Sequence, residues 1–317
     1  MTTLRIRSIT WEAEGIRSFE LVSPEGEELP AFDAGAHLDV QIPGGISRRY
    51  SLCNPPWERH RYVIAVLDVP NSRGGSRAMH RNLRAGDLID VSGPHNFFPL
   101  AQEAERSILL AGGIGVTPIM AMYEQLRRDG RPVELHYCTK SPDHTAFRTR
   151  LRDGIEAGHV SLHHDGGDPS KGLDIAKLLE NAAPSAHVYY CGPTGFMGAV
   201  RDATSHWPQE QVHFEYFGQE PTARPKGESH GQEVHVVLER LGRTIPVDPT
   251  QTILEALRAS DVECESSCEA GMCGTCKVRY LEGSPEHNDL ILSEDEREEY
   301  VLICCARAGS DPLVLDL

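Results

Sequence analysis

The stretch that decides the fold is "SCEAGMCGTC", residues 267–276, which places Cys268, Cys273 and Cys276 within nine residues. Thiolates bind zinc or iron–sulfur clusters. Structural zinc sites usually pair two short C-x2-C motifs, whereas this C-x4-C-x2-C loop has only a distant partner, in "ICCAR" at residues 303–307. Three ligands from one tight loop and a fourth from far along the chain are typical of a plant-type [2Fe-2S] cluster. The spacing therefore predicts an iron–sulfur centre near the C-terminus.

Two adjacent cysteines in the later stretch, Cys304 and Cys305, compete for the fourth position. Plant-type ferredoxins carry Cys-x-Ala at this place, and "CCA" at residues 304–306 resembles it with Cys304 as the ligand. On a strand, Cys305 then points to the opposite face. We therefore expect Cys268, Cys273, Cys276 and Cys304 to hold the cluster, with Cys305 as the alternative to Cys304.

The composition is typical of a protein of the reducing cytosol. No run approaches the roughly 18 apolar residues of a membrane span, and "MTTLRIRSIT" at the start lacks the apolar run of a signal peptide. In that compartment nine cysteines favour a metal or catalytic role over disulfides. We expect a cytoplasmic chain whose 317 residues fold as two or three domains.

The net charge of −16 is unevenly distributed. Residues 233–317 hold 18 Asp and Glu against 7 Lys and Arg, a net of −11. An acidic module is a poor nucleic-acid binder, because the phosphate backbone carries the same sign of charge. It is suited to docking on a basic protein surface, and an ordinary solvated acidic surface is the alternative.

Turn residues and periodicity divide the chain into segments. Residues 1–100 contain strand-like runs such as "LRIRSITWEA" and "RYVIAVLDV" between Gly, Pro and Asn, which favour a β-barrel or a sandwich. Residues 101–218 alternate apolar strands with helical stretches, which indicates a parallel α/β sheet. Residues 219–232, rich in Gly, Pro and charge, are expected to be a linker. Residues 233–317 open with a strand pair and a helix before the cysteine loop.

The first helical stretch of the second segment is "TPIMAMYEQLRRDG", residues 117–130. Thr117 is placed to cap this helix, Pro118 suits its first position, and Gly130 suits its end.

The cluster's chemistry constrains the first two segments. A [2Fe-2S] cluster accepts one electron at a time, whereas a nicotinamide delivers two as a hydride. A flavin accepts a hydride and releases single electrons. The chain is therefore expected to hold a nicotinamide site, a flavin site and the cluster.

Five short motifs occur in order: "RRYSL" at 48–52, "GGS" at 74–76, "GGIGVTP" at 112–118, "CGP" at 191–193 and "HFEYF" at 213–217. Together they resemble the ferredoxin–NADP reductase superfamily. With the ferredoxin module at the C-terminus, the whole chain resembles the phthalate dioxygenase reductase family. The resemblance implies an FMN-binding antiparallel β-barrel (1–100), an NAD-binding α/β domain with a parallel sheet (101–218) and an α+β plant-type ferredoxin of the β-grasp fold (233–317). It also implies NADH as the donor, a terminal Rieske-type oxygenase component as the protein partner, and a monomer.

By resemblance, the flavin belongs to the barrel. Arg48 matches a phosphate with its planar guanidinium, Tyr50 lies against the ring system, and Ser51 hydrogen-bonds near N5, where the hydride arrives. Arg49 is a second candidate for the phosphate. The other candidates offer backbone groups, toward the ring or as an N–H nest for the phosphate: Ala65, Val66 and Leu67, then Gly74, Gly75 and Ser76.

The nicotinamide belongs at the strand ends of the parallel sheet, where open α/β sheets bind ligands. The resemblance implies that Gly113 and Gly115 leave room for the ring and that Phe217 shields the flavin. The residues expected to act in hydride transfer, through contact and alignment, are Ser51, Thr117, Cys191 and Glu215. The remaining candidates are Gly192 and Pro193 beside Cys191, and Thr139 and Lys140 for the adenosine half.

The predicted function is an NADH-dependent reductase that passes electrons through FMN and the cluster to an oxygenase or demethylase. The same redox core serving a cytochrome P450 is one alternative, and assays with candidate acceptors distinguish it. A regulatory iron–sulfur sensor is the other, and it predicts no rapid NADH-dependent reduction of an artificial acceptor. No general acid or base is required, because hydride transfer depends on alignment and distance.

Overall fold

A computed structural model of the chain describes residues 1–42, 45–69, 74–180, 185–217, 234–249, 251–266, 271, 274–289, 291–309 and 311–317. These residues divide into two compact units, Met1–Glu215 and Tyr216–Leu317. The domain boundaries expected after residues 100 and 218 stay predictions, and the expected linker 219–232 lies outside the described residues. No helix in the part of the chain so described has the length and apolar character needed to cross a bilayer.

The first unit begins with an antiparallel sheet. Its six strands are β1 (Thr2–Ala13), β2 (Ile16–Val22), β3 (His37–Ile42), β4 (Ile46–Ser51), β5 (Tyr62–Leu67) and β6 (Leu88–His95). Their spatial order is β4-β3-β6-β1-β2-β5, and a bridge between Leu52 and Ile64 joins the two edges. Alternate residues such as Leu38, Val40 and Ile42 fill the core. The sheet thus closes into the predicted β-barrel.

A helix without a clear signal in the sequence, α1 (Gly75–Asn82), lies between β5 and β6. Gly74 precedes it with a φ of 97°, a left-handed conformation that favours glycine. The buried His80 donates from Nε2 to the Val66 carbonyl at 2.8 Å, which ties α1 to β5. The stretch expected to be a loop nest is therefore the first turn of a helix.

The rest of the first unit is the predicted parallel sheet, with the spatial order β11-β10-β7-β8-β9. Its strands are β7 (Arg106–Gly112), β8 (Val133–Thr139), β9 (Val160–His164), β10 (Ala186–Cys191) and β11 (Val212–Glu215). The helices between them are α2 (Val116–Arg128), α3 (Arg148–Glu156), α4 (Ile175–Glu180) and α5 (Thr194–Ala203). Every residue of β10 is buried, as is typical of a strand covered on both faces.

Helix α2 begins two residues earlier than the capping prediction requires. Its cap is Gly115, so Thr117 lies inside the first turn, where its hydroxyl donates to the Ile114 carbonyl at 3.1 Å. Pro118 is accordingly the third helical residue. The prediction was wrong because a short 3-10 turn, Gly113–Gly115, leads directly into the helix and replaces a side-chain cap. Gly130 follows the helix with a φ of 66°, as expected.

The second unit has the β-grasp arrangement. Its strands are β12 (Val234–Leu238), β13 (Arg243–Val247), β14 (Lys277–Glu282), β15 (Pro285–Glu286), β16 (Tyr300–Leu302), β17 (Arg307–Ala308) and β18 (Leu313–Leu315), and its helices are α6 (Ile253–Ala259) and α7 (Glu294–Arg297). The main sheet runs β13-β12-β18-β14-β16. The expected strand pair is the β12–β13 hairpin, and β12 also pairs in parallel with β18. A capping box of Thr252 and Glu255 begins α6, whose apolar face joins the core.

Candidate functional site

The predicted phosphate ligands meet at the start of α1. A Cβ atom on Gly75 would lie 3.0 Å from Cγ and 3.2 Å from Nε of Arg48. Arg48 therefore runs directly over the first helical turn, where a larger residue than glycine would displace it. The first N–H groups of a helix lack intrahelical partners, and the helix dipole favours an anion there. A guanidinium over such a turn fits a phosphate group.

Alternation along β4 separates the two neighbouring arginines. Arg48 and Tyr50 share one face, and Tyr50 packs against the barrel core. Arg49 lies on the other face, with Nε 3.3 Å from the carboxylate of Asp39. The structure therefore places Arg49 beside Asp39, on the opposite face of β4 from Arg48.

Some of the groups of β5 and α1 that were predicted to contact the flavin form hydrogen bonds within the protein. The Val66 carbonyl accepts from His80, between Ala65 and Leu67. The Ser76 hydroxyl accepts from the N–H of Val69 at 3.3 Å. These bonds hold β5 and α1 side by side.

A hydrogen bond joins the barrel to the parallel sheet. The Ser51 hydroxyl, at the end of β4, donates to the Glu215 carboxylate, at the end of β11, over 2.9 Å. Burial raises the pKa of Glu215 to about 7, while the Ser51 hydrogen bond and the charge of Arg49 act in the opposite direction. This carboxyl group, at the junction between the two sheets, therefore gains or loses its proton near neutral pH.

Two glycines of "GGIGVTP" make room for the chain after β10, Gly115 for its backbone and Gly112 for side chains. A Cβ on Gly115 would lie 2.2 Å from the Cys191 carbonyl oxygen, and one on Gly112 would lie 2.8 Å from Cδ of Pro193. The start of α2 consequently contacts the end of β10. Gly113 differs, because its φ is 54° and nothing lies within 4 Å of a Cβ placed on it. Of the two glycines expected to leave room for a nicotinamide ring, Gly113 borders open space and Gly115 borders the backbone before Gly192.

Three residues predicted for the dinucleotide site, two for its nicotinamide and one for its adenosine half, are buried near the carboxyl edge of the sheet. Cys191 is fully buried, and burial together with the charge of Glu215 raises the pKa of its thiol well above the usual value. Thr117 and Thr139 are also buried, and Thr139 is hydrogen-bonded to Thr145 at 2.7 Å between hydroxyls. Lys140, next along the chain, is exposed. Because its pKa is raised, the Cys191 thiol is neutral. It therefore contributes shape to the site and no charge.

One charged residue at the junction gave no signal in the sequence. Arg150, in α3, donates from Nη2 to the Cys53 carbonyl at 2.6 Å and to the Glu124 carboxylate at 2.8 Å. Its partner in the barrel is a backbone atom 97 positions away, and no motif marks such a contact. The predicted contact of Phe217 with the flavin stays a prediction, because Phe217 falls in the second unit.

Two of the predicted cluster ligands are described, and they lie close together: Cys276 at the end of the cysteine loop and Cys304 after β16. The thiol of Cys304 lies close enough to the side chains of Cys276 and Cys305, and to the backbone of Gly271, for each to affect its pKa. Thiolate sulfur is the donor that an iron–sulfur cluster requires, so the two residues fit as ligands. The other two predicted ligands, Cys268 and Cys273, lie outside the described residues.

The turn that carries Cys304 and Cys305 follows β16, so the expected alternation along a strand does not apply there. The Cys305 thiol donates to the Leu302 carbonyl at 3.5 Å. The first N–H groups of α6 hold this turn in place, since Leu254 donates to the Ile303 carbonyl at 2.9 Å. Cys305 therefore differs from Cys304 in that its thiol donates to the Leu302 carbonyl. The two residues are not separated by the alternating faces of a strand.

Known proteins resemble both units. Residues 236–309 match the 2Fe-2S iron-sulfur cluster binding domain, and residues 109–202 match the oxidoreductase NAD-binding domain. The phthalate 4,5-dioxygenase oxygenase reductase subunit of Pseudomonas putida is 43% identical, over 100% of this chain and 97% of that protein. The chain belongs to the phthalate dioxygenase reductase family. As a member it is an oxidoreductase, and the predicted fold class is confirmed.

Solved structures extend the family comparison. One match is phthalate dioxygenase reductase, described as a modular structure for electron transfer from pyridine nucleotides to [2Fe-2S]. Its TM-score is 0.76 and its identity 44%, over 99% of this chain and 97% of that chain. An intact type IV self-sufficient cytochrome P450 monooxygenase matches with a TM-score of 0.76 and 38% identity, over 100% of this chain and 41% of that chain. The phthalate dioxygenase reductase architecture thus also occurs within a longer polypeptide.

Proposed function

We propose that this chain is the reductase component of an oxygenase system, passing electrons from NADH through FMN and a [2Fe-2S] cluster to a separate terminal oxygenase of the Rieske type. The hydrogen bond between Ser51 and Glu215 carries the proposal. It joins the end of the predicted flavin strand β4 to the carboxyl edge of the NAD-binding sheet, where a hydride donor and a hydride acceptor would meet. The substrate is transformed on the partner, so this chain handles only electrons.

The side chains of the first unit bind and orient. FMN, when bound, supplies the chemistry that accepts a hydride and releases single electrons. Arg48 and the first turn of α1 hold its phosphate, and Ser51 and Glu215 lie where β4 meets the NAD-binding sheet. Cys191 shapes the nicotinamide edge. Alignment of the two rings is the main contribution of the protein to hydride transfer, because fixed geometry replaces a bimolecular encounter.

In the second unit, Cys268, Cys273, Cys276 and Cys304 hold the cluster. The acidic surface of this unit is the proposed docking face for the oxygenase. Helix α7 and the residue that follows it contribute the exposed side chains Glu294, Asp295 and Glu298. Complementary charge mainly accelerates encounter, and salt screens it. Reduction of the partner is therefore expected to slow as ionic strength rises, while reduction of the flavin by NADH changes little.

A cytochrome P450 acceptor is the second candidate, because the whole chain resembles part of a self-sufficient P450 monooxygenase. Anaerobic stopped-flow mixing of the NADH-reduced protein with a purified Rieske oxygenase and with a purified P450 separates the two. We expect faster electron transfer to the Rieske component. Faster transfer to the P450 at equal concentration contradicts the proposed acceptor.

The redox chain is tested on the purified protein alone. Anaerobic addition of NADH is expected to bleach flavin absorbance and then cluster absorbance, and the released flavin is expected to be FMN. Protein that contains neither flavin nor iron after anaerobic preparation contradicts the proposal. We further propose a cytoplasmic monomer, which sedimentation velocity and cell fractionation test.

A further inference from the structure

The contact made by Arg150 crosses from the NAD-binding sheet to the barrel. Its Nη2 donates to the Cys53 carbonyl at 2.6 Å, and its Nη2 and Nε donate to Glu124 of α2 at 2.8 and 3.2 Å. The guanidinium carbon also lies 5.2 Å from the ring centre of Phe147. The planar guanidinium of Arg150 therefore connects α3, which carries it, to α2 and to the barrel.

Cys53 stands two residues after Ser51, in the segment that follows β4. The N–H of Leu52 donates to the Ala36 carbonyl at 2.8 Å, and the N–H of Cys53 donates to the Val63 carbonyl at 2.9 Å. The segment is thus fixed within the barrel to the residue before β3 and to β5, and Arg150 fixes it to α3 from outside. Ser51 is held on the other side by Glu215. The end of the flavin strand has two tethers to the NAD-binding sheet, at Ser51 and at Cys53.

The segment that leads into helix α3 begins beside Thr139 and Lys140, the residues predicted to bind the adenosine half of the dinucleotide. The chain between β8 and α3 is held by the hydrogen bond of Thr139 to Thr145 and by that of Thr145 to the Ser141 carbonyl, at 3.0 Å. It ends at Phe147, whose φ of 59° is a left-handed conformation that a phenylalanine adopts only when its surroundings hold it there. This segment therefore leads directly into the first turn of α3, which carries Arg150.

We propose that Arg150 is a positioning residue, which fixes the flavin strand β4 at the distance and angle to the NAD-binding sheet that hydride transfer requires. The inference rests on the proposed function, because it takes β4 as the strand that carries the flavin contacts. Displacement of a reacting group by about 1 Å can cost about 100-fold in rate. Because the second tether, from Ser51 to Glu215, remains, loss of Arg150 is expected to slow flavin reduction by about tenfold.

The test compares Arg150→Ala and Arg150→Lys with Arg128→Ala in the flavin-loaded, full-length protein. Lysine keeps the charge and lacks the planar fork that reaches a carbonyl and a carboxylate together. Arg128 is the matched control, because it also reaches from a helix of the NAD-binding part to the barrel, with its guanidinium 4.4 Å from the ring centre of Trp57. Stopped-flow reduction by NADH gives the limiting rate and the dissociation constant, and hydrogen exchange of residues 48–53 reports the strand directly.

Both Arg150 variants are expected to lower the limiting rate with little change in the dissociation constant, and to exchange faster at residues 48–53. Arg128→Ala is expected to match the wild type in both measurements. Where Arg150→Ala does not retain FMN, Arg150→Lys decides. A wild-type rate in the Arg150 variants overturns the inference, even with altered exchange, and so does equal slowing in Arg128→Ala. If the wild-type protein is not reduced by NADH, the proposed function fails, and the exchange data still report whether the tether exists.

Discussion

Replacement of Glu215 by glutamine tests the electrostatics of the junction. Burial holds the pKa of this carboxyl at about 7 in the folded chain, against 4.5 for an ordinary glutamate. The folded state therefore binds the proton more tightly than the unfolded state does. The resulting stabilisation is complete below pH 4.5 and is lost as the pH rises to about 7. Glu215→Gln cannot ionise, so this part of the pH dependence disappears.

The size of the effect follows from the two pKa values. Each pH unit between them corresponds to roughly 1.4 kcal/mol, which gives about 3 to 4 kcal/mol between pH 4.5 and about 7. This is an upper limit, because Glu215 retains partial exposure and solvent screens its charge. Wild-type protein is expected to lose this free energy of unfolding as the pH rises from 4.5 to about 7, relative to Glu215→Gln.

Urea unfolding followed by tryptophan fluorescence measures the difference. All three tryptophans, Trp11, Trp57 and Trp207, lie in the first unit together with Glu215, so the signal reports the unit of interest. Glu27→Gln, at an exposed site, is the matched control and is expected to follow the wild type. Parallel pH profiles for the wild type and Glu215→Gln would refute the assignment of a buried, tightly held proton.

Three further predictions concern single side chains. Cys304→Ser is expected to lose most of its iron after anaerobic reconstitution and Cys305→Ser to retain it, and equal loss in both would contradict the ligand assignment. Gly115→Ala is expected to slow NADH-dependent flavin reduction at least about tenfold, because its Cβ would lie 2.2 Å from the Cys191 carbonyl oxygen. Gly198→Ala, where no atom lies within 4 Å of the added Cβ, should leave that rate unchanged, and equal rates in the two variants would argue against the close contact. Thr252→Ala is expected to destabilise the second unit by about 1 kcal/mol, measured by loss of cluster absorbance in urea, whereas Thr252→Ser should remain near the wild type.

The sequence predicted the strands well where turn residues and apolar runs agreed, as in "RSILLAG", which became β7 (Arg106–Gly112). It did not predict α1, because "GGSRAMHRN" is short and its mean hydropathy is low, and because its stability comes from contacts such as that of His80 with Val66. Tertiary packing of this kind overrides local preference. For the same reason Thr117 looked like a cap until the turn before it was known.

The candidate site divides along the same line. Motifs identified Arg48 and Ser51, because their side chains have the required chemistry and stand in a recognisable order. Cys53 and Arg150 escaped notice, because one acts through its carbonyl and the other through a partner distant in sequence. Hydride transfer depends on the alignment of two separately folded sheets, so the contacts that align them belong to the site as much as the residues that face the cofactors. The contact of Arg150 with the Cys53 carbonyl involves a backbone atom and carries no residue signature, which is why a structure is required to find it.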